Sequence, residues 1–367
     1  MTRISRLLVT LLAVGCTTLP TGFDQLGPPP ESRTITLLPD SLDSYSKYVP
    51  LGDAAELLLG RDDQYQSRVL IKFPVKDSAL DSVTTVQLVL YPADSGLVPF
   101  VIRPCSTNWS TAAVTWRMAD SVVQWLTPGG DYWHLDLAQD TLTKDSLIIN
   151  LDRRYLDTLV RSAYGIILFP LDTGFIHLRS STATGTPPRL RFTFLDNGKR
   201  TYTATEDAHI VDTFQLNSGL TDLLVGSGVA FRTYLYFNIE SITAAATVVS
   251  AELRFQPQVQ YQRNDTLPVS VHRLSESYSA KGRNAGFSPG ISASFRYVPA
   301  DTDSIVRLDI RNLVQFWTAN PDSNHGILLM AQPEWTDIFR IKLPRTGSAA
   351  PRLTVQYVLP PEDRFQR

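Results

Sequence analysis

Short runs in which hydrophobic and polar residues alternate recur along the chain. The clearest occupy 189–194, 267–272 and 353–357, and a further run at 86–91 is mostly apolar. Successive side chains of a strand point to opposite faces, so alternation over five to seven residues is typical of sheets with one solvated face. Pro, Gly, Asp and Ser bound these runs, as turns require. The pattern predicts antiparallel β-sheets.

Helical patterns are scarce. Leu308, Leu313, Phe316 and Trp317 allow one short helical turn after a strand, and residues 155–160 allow another in the first half. Many short strands with few helices predict an all-β protein of two-sheet sandwiches resembling jelly rolls.

The chain repeats itself. Three landmarks return in the same order at a nearly constant offset: 145–152 as 303–309, 164–168 as 325–329, and 188–192 as 351–355. Such periodicity indicates two copies of one fold of roughly 160 residues. We place the tandem antiparallel β-sandwich domains at 34–195 and 201–358. The linker between them, Asp196-Asn197-Gly198-Lys199, is short enough to predict domains in contact.

Composition excludes some classes of function. The 367 residues are 43% hydrophobic and 19% charged, as in ordinary globular proteins. The formal net charge of −2 gives no field that would attract nucleic acid. We therefore expect no nucleic-acid partner.

The N-terminus predicts export. Arg3 and Arg6 precede an apolar stretch at 7–14, followed by Gly15 and Cys16, which predicts a signal peptide over 1–15. A Cys after a small residue at this boundary resembles the lipobox of bacterial lipoproteins, which implies lipidation of Cys16. The Pro-rich residues 16–33 would then form a tether. The resemblance implies an outer-membrane lipoprotein, and the alternative is an ordinary signal peptide with a chance Cys.

Further landmarks suggest a family. The first copy contains in order the following residues: 68–73, 86–91, Trp109, 114–116, 164–166 and 188–190. This order resembles the DNRLRE family of bacterial surface β-sandwich modules, some of which are classed as carbohydrate-binding modules. The second copy matches through 232–237, 251–253 and 324–327 but lacks the tryptophans of the first. The resemblance implies the architecture and, more weakly, a polysaccharide ligand.

No pattern of reactive residues indicates catalysis. The five histidines are scattered, without metal-ligand spacing. Asp62-Asp63 and Asp301-Thr302-Asp303 are dense in carboxylates but lack the spacing of a calcium loop. We therefore expect no catalytic residues, no metal and no cofactor.

Tryptophan gives the best indication of a ligand site. Flat aromatic faces with polar tips suit sugar rings. Trp109 and Trp116, which match family landmarks, and Trp317, which ends an apolar run, are expected in the core. The candidates for ligand contact are Trp125, Trp133 and Trp335, and packing in the core is the alternative for each.

Three functions follow as hypotheses. The first is a non-catalytic, lipid-anchored protein of the cell envelope that binds or scaffolds at the surface, with polysaccharide as its partner. The second is a structural or assembly subunit that packs against other envelope proteins. The third is a polysaccharide-degrading enzyme, which would need a cleft with convergent carboxylates.

Overall fold

The computed structural model describes residues 31–75, 80–142, 147–161, 164–214, 222–299, 305–335 and 337–360. Within them strands dominate and helices are short, which confirms the predicted all-β class. The predicted signal peptide 1–15, Cys16 and the predicted tether up to residue 30 lie outside these ranges. Ser32 and Arg33, at the end of that tether, already belong to the first strand. None of the helices in the described residues combines the length and apolarity needed to cross a bilayer.

The elements follow in chain order. The strands before the predicted linker are β1 (Ser32–Leu37), β2 (Ser41–Lys47), β3 (Glu56–Arg61), β4 (Tyr65–Lys72), β5 (Val83–Leu90), β6 (Val98–Pro104), β7 (Ala138–Leu142), β8 (Leu147–Leu151), β9 (Ile166–Pro170), β10 (Gly174–Arg179) and β11 (Arg189–Phe194). Those after it are β12 (Lys199–Thr203), β13 (Glu206–Thr213), β14 (Leu223–Ser227), β15 (Ala230–Tyr236), β16 (Thr247–Phe255), β17 (Gln258–Gln262), β18 (Leu267–Leu274), β19 (Phe287–Tyr297), β20 (Val306–Asp309), β21 (Ile327–Ala331), β22 (Phe339–Leu343) and β23 (Arg352–Val358). The helices are α1 (Leu156–Arg161), α2 (Tyr278–Lys281) and α3 (Arg311–Ala319), and 3-10 turns occupy Leu80–Ser82, Arg153–Tyr155, Gly282–Asn284 and Pro321–Ser323.

The strands form two sandwiches whose sheet orders correspond. In the first sandwich, the sheet β10-β3-β4-β9-β6-β7, with β13 beside β4, packs on the sheet β12-β11-β5-β8. In the second, the sheet β17-β22-β14-β15-β21-β18-β19, with β2 beside β15, packs on β1-β23-β16-β20. Apart from β17, each strand of one sandwich has an equivalent at the same place in the other. The chain therefore contains one fold twice.

The alternation in the sequence indicates which side chains form the core. In β11 the side chains of Leu190 and Phe192 are buried between the sheets of the first sandwich, while Arg189 and Arg191 on the other face remain partly accessible. Burial of such apolar side chains is worth about 1.5–3 kcal/mol each. The second core forms in the same way, with Leu353 and residues from both of its sheets.

The two sandwiches exchange strands. β1 pairs with β23, from Ser32 opposite Val358 to Leu37 opposite Leu353, and β2 pairs with β15. Conversely, β12 pairs with β11 and β13 pairs with β4. The first two strands of each sequence copy thus complete the sandwich of the other copy. The domain boundaries 34–195 and 201–358 stay a prediction about the two sequence copies. The sheets do not follow these boundaries, because strands from each copy pair with strands of the other.

The predicted linker is the turn of the β11–β12 hairpin. Asn197 has φ of 63°, and Gly198 N donates to the Asp196 carboxylate at 2.8 Å. Asn tolerates this left-handed conformation because its short polar side chain can bond to nearby backbone. The linker therefore lies within one sheet, so the copies meet without a flexible spacer.

A glycine landmark of the repeat has the same physical cause in both copies. Gly165 and Gly326 precede β9 and β21 with φ of 82° and 89°. A Cβ at Gly165 would lie 2.2 Å from the carbonyl oxygen of Ile71, and one at Gly326 would lie 2.6 Å from that of Leu235. Only glycine fits where the backbones approach this closely.

Candidate functional site

The predicted ligand residues do not share one environment. Trp125 is only 5% exposed, and its indole Nε1 donates to the Thr115 carbonyl oxygen at 2.9 Å. Trp133 and Trp335 are 50% and 37% exposed, in the loop before β7 and in the loop before β22. A ligand-binding role for the three stays a prediction, but Trp125 packs in an apolar cluster whereas the other two are accessible.

The tryptophans expected in the core are buried. Trp109 is 2% exposed and donates from Nε1 to the Tyr164 carbonyl oxygen at 2.8 Å. Trp116 lies beneath the guanidinium of Arg68, 4.6 Å from the ring centre. Together they hold the long loop 105–137 against the outer face of the first large sheet. Cys105 is buried in the same cluster, and burial raises the pKa of its thiol, so it is not a reactive nucleophile.

Buried charged groups concentrate around the loop before β22. Arg232 of β15 donates two hydrogen bonds to the Glu334 carboxylate, at 2.9 and 2.8 Å, and both side chains are under 10% exposed. Asp337 accepts from Arg263 Nε at 3.1 Å, and its Oδ1 lies 3.8 Å from His177 Nε2 of the first sandwich. Paired in this way, the buried charges are tolerated and fix how the elements meet.

Direct contacts join the sandwiches around this cluster. Tyr261 donates its hydroxyl proton to the Asp62 carboxylate at 2.6 Å, and Arg340 Nη2 donates to Gln64 Oε1 at 2.8 Å. Tyr65 of the first sandwich packs with Phe231 of the second in a shared apolar cluster. The junction is therefore both apolar and hydrogen-bonded.

Burial shifts the pKa values of two titratable groups on β13 toward their neutral forms. Burial, with a smaller contribution from His177, lowers the pKa of His209 to about 3. Burial raises the pKa of Asp207 to about 6, although its carboxylate accepts from Ser181 N. Neither group lines a cavity among those found in the described residues. We assign both to packing of the exchanged strand.

A partly enclosed cavity lies in the second sandwich, between the β15–β16 connection and the end of α3. Its volume is about 300 Å³. The lining residues combine aromatic, aliphatic and acidic side chains: Tyr236, Asn238, Ile239, Glu240, Ile242, Thr243, Ala244, Trp317, Thr318, Pro321, Asp322 and Asn324. A shallower cleft shares Pro321 and Asp322 and also contacts His325. We call the 300 Å³ space the Trp317 cavity.

Local loop geometry fixes the walls of this cavity. Asn238 Nδ2 donates to the Glu240 carboxylate at 3.3 Å, and Glu240 N donates to Asn238 Oδ1 at 2.8 Å. Asn324 Nδ2 donates to the Phe237 carbonyl oxygen at 2.9 Å. Burial, followed by the negative charges of Glu240 and Asp40, raises the pKa of the Tyr236 hydroxyl above its ordinary value. The cavity is thus preformed and electronegative.

Sequence reasoning missed this cavity. Trp317 was expected in the core and is fully buried, yet it also lines the cavity. The carboxylates of Glu240 and Asp322 lie far apart in sequence and outside the acidic runs singled out from it. Of those runs, 301–303 lies outside the described residues, and the described residues contain no cluster of three or more potential metal ligands among His, Cys, Asp and Glu.

One family model matches the chain, that of TGF-beta propeptide, over residues 187–350. No curated protein matches. The matched stretch runs from the start of β11 to beyond β22, so it includes the Trp317 cavity. The family agrees with the expectation of an exported protein and is consistent with a non-catalytic one.

The match corrects several predictions. The DNRLRE resemblance and its carbohydrate-binding-module implication are wrong, because the family model that matches is that of TGF-beta propeptide. The landmark residues that carried the resemblance, such as Gly165, are positions that the fold itself requires. The lipid-anchored bacterial envelope protein, its outer-membrane location and its polysaccharide or envelope-protein partners are likewise wrong, as are the assembly-subunit and polysaccharide-degrading alternatives. Residues 187–350 are similar to TGF-beta propeptide.

Proposed function

We propose that the chain is an exported, non-enzymatic protein that acts by binding a growth factor of the TGF-β type, the class that the name of the matched family indicates. The observation that carries the proposal is the match over 187–350. It spans all seven main strands of the large sheet of the second sandwich, β14, β15, β17, β18, β19, β21 and β22.

The character of the fold supports a binding role. The two sandwiches meet through the apolar cluster around Tyr65 and Phe231 and through exchanged strands. A rigid body of this kind loses little conformational entropy on association, which favours affinity. The charged N-terminal segment followed by the apolar stretch 7–14 supports export.

The test is complex formation in solution. The purified full chain is mixed with a mature growth-factor dimer of the TGF-β type and analysed by size-exclusion chromatography with light scattering. We expect a co-eluting complex whose mass is the sum of the components. An unrelated exported dimer serves as the control for nonspecific association. Separate elution of chain and growth factor at micromolar concentrations of both would refute the proposal, because complexes weaker than about 8 kcal/mol are lost there.

A further inference from the structure

The last strand of the large sheet in the second sandwich, β19, has one free edge. It is the longest of the described strands, with 11 residues, and it pairs with β18 on one side. On its other side the structure describes no strand that pairs with its backbone N–H and C=O groups. A sheet edge of this kind is a template on which a further strand can add.

Only the first part of this edge is protected against pairing. Pro289 and Gly290 lie in it, and the register between β18 and β19 shifts twice between Val271 and Leu274. Proline, bulges and charged side chains are the means by which proteins block their edge strands. Residues 293–297, Ala-Ser-Phe-Arg-Tyr, have a regular register with β18 and contain no Pro and no Gly. We call these five residues the open edge.

The open edge is long enough to form a ladder. The pairing of β14 with β22, in the same sheet, also extends over five residues, Leu223–Ser227. Strands in globular proteins are commonly five to six residues long. A further strand on the open edge would therefore make a ladder of ordinary length.

The equivalent edge of the first sandwich is blocked by a charge. There β7, Ala138–Leu142, takes the place of β19 at the end of the large sheet. Its central residue, Asp140, is exposed. Pairing of two copies about that residue would place two carboxylates directly opposite each other, which is unfavourable. The two copies of the fold thus differ in whether this edge can pair with itself.

The side chains of the open edge alternate between the two faces of the sheet. Ala293 and Phe295 pack against the core of the second sandwich, and Tyr297 is buried. Ser294 and Arg296, on the other face, are exposed. A strand added here would continue both faces, with apolar side chains beside Phe295 and polar ones beside Ser294.

A second copy of the chain supplies a strand with this pattern. Two copies that pair antiparallel about a two-fold axis at Phe295 place Ala293 opposite Tyr297 and Ser294 opposite Arg296. The two Phe295 rings then face each other, a small residue lies opposite a large one, and no like charges meet. Such a contact is self-complementary and closed, because it uses the open edge of both copies.

We propose that the chain forms a two-fold dimer in which the open edges of two copies pair antiparallel about Phe295 and join their large sheets. The regular, nearly uncharged edge over 293–297 and its self-complementary register carry the inference. It goes beyond the proposed function and does not depend on it, because the partner is a second copy of the chain.

The first measurement is the mass of the full chain by sedimentation equilibrium at increasing concentrations up to about 0.1 mM. We expect a monomer–dimer equilibrium whose mass approaches twice that of one chain. A monomer at every concentration would overturn the proposal.

Charges at position 294 identify the surface and the register. Ser294→Lys places a cation opposite the Arg296 side chain of the other copy at two symmetric places, and should weaken dimerisation at least about 10-fold. Ser294→Glu places an anion there and should strengthen it. Ser294→Lys combined with Arg296→Glu opposes unlike charges again and should restore the dimer, which shows that the variants fold. Ser250→Lys, at an exposed position of β16 in the other sheet, should leave the dissociation constant unchanged.

The outcomes separate this proposal from the alternatives. Equal dissociation constants for the Ser294→Lys and Ser294→Glu chains would show that another surface joins the copies, and would overturn the proposal. A monomeric chain whose complex with a growth factor is weakened by Ser294→Lys would assign the open edge to the growth factor and overturn it as well. A dimer that follows the charge pattern while no growth factor co-elutes would support this proposal and refute only the proposed function.

Discussion

Arg232 holds the carboxylate of Glu334 through two parallel hydrogen bonds of 2.9 and 2.8 Å in a place that solvent barely reaches. The partners come from β15 and from the loop before β22, so the pair fixes that loop to the sheet. Removing one charge of a buried pair leaves the other without compensation.

Glu334→Ala should therefore lower the free energy of unfolding by about 3–5 kcal/mol. The control is Glu252→Ala, which removes an exposed ion pair with Arg307 and should cost no more than about 1 kcal/mol. Urea unfolding followed by tryptophan fluorescence measures both. Equal effects of the two variants would show that burial does not strengthen the Arg232 pair.

The strand exchange predicts that the sandwiches unfold together. Ser44 of β2 is buried against the second sandwich, where its hydroxyl accepts from Leu224 N at 2.9 Å and lies 3.2 Å from the Arg232 carbonyl oxygen. Ser44→Ala should lower the free energy of unfolding by about 1–3 kcal/mol and shift one common transition. Ser46→Ala, on the same strand but less buried, should stay within about 0.5 kcal/mol. Two separate transitions, of which only one moves, would refute the coupling.

His209 should make the protein sensitive to mild acid. Burial lowers its pKa to about 3, below the ordinary 6.5, so between these values the unfolded chain binds a proton that the folded chain does not. Above pH 6.5 the imidazole is neutral in both states and burying it costs no protonation energy. As the pH falls from 6.5 toward 3, the free energy of unfolding decreases by up to about 1.4 kcal/mol per pH unit. His209→Gln should flatten unfolding free energy against pH in that window, and His134→Gln, at an exposed position, should not. Parallel curves for wild type and His209→Gln would contradict the assignment.

Asp207 should make the free energy of unfolding depend on pH in the opposite direction. Burial raises its pKa to about 6 from the ordinary 3.8, so the folded chain holds the proton more tightly and stability falls as the pH rises from 3.8 through 6. Asp207→Asn keeps an oxygen for Ser181 N and should stabilise the protein at pH 7 by about 1–3 kcal/mol, with little gain at pH 4. Asp172→Asn is the exposed control. Destabilisation by Asp207→Asn at pH 7 in chemical denaturation would show that the buried carboxylate contributes favourably.

Much of the fold follows from local patterns. The alternating run 189–194 coincides with β11, 353–357 lies within β23, and 267–272 lies within β18. The helical turn expected after Leu308 is α3. These elements were predictable because alternation fixes which side chains face the core.

The exchange of strands could not be predicted. Alternation states which face of a strand is buried but not which sheet supplies the neighbouring strand. Each exchanged strand finds an equivalent position in either sandwich, since the copies share one fold. The Trp317 cavity was hidden for a related reason, because its lining residues come from two stretches that lie far apart in the sequence and meet only in the folded chain.

The most direct measurement of the central claim is hydrogen–deuterium exchange of the full chain with and without a mature growth-factor dimer of the TGF-β type. The claim is that the matched stretch, residues 187–350, binds this partner. It predicts slower exchange within 187–350. Exchange that is unchanged at saturating growth factor, or slowed only between β3 and β10, would contradict it.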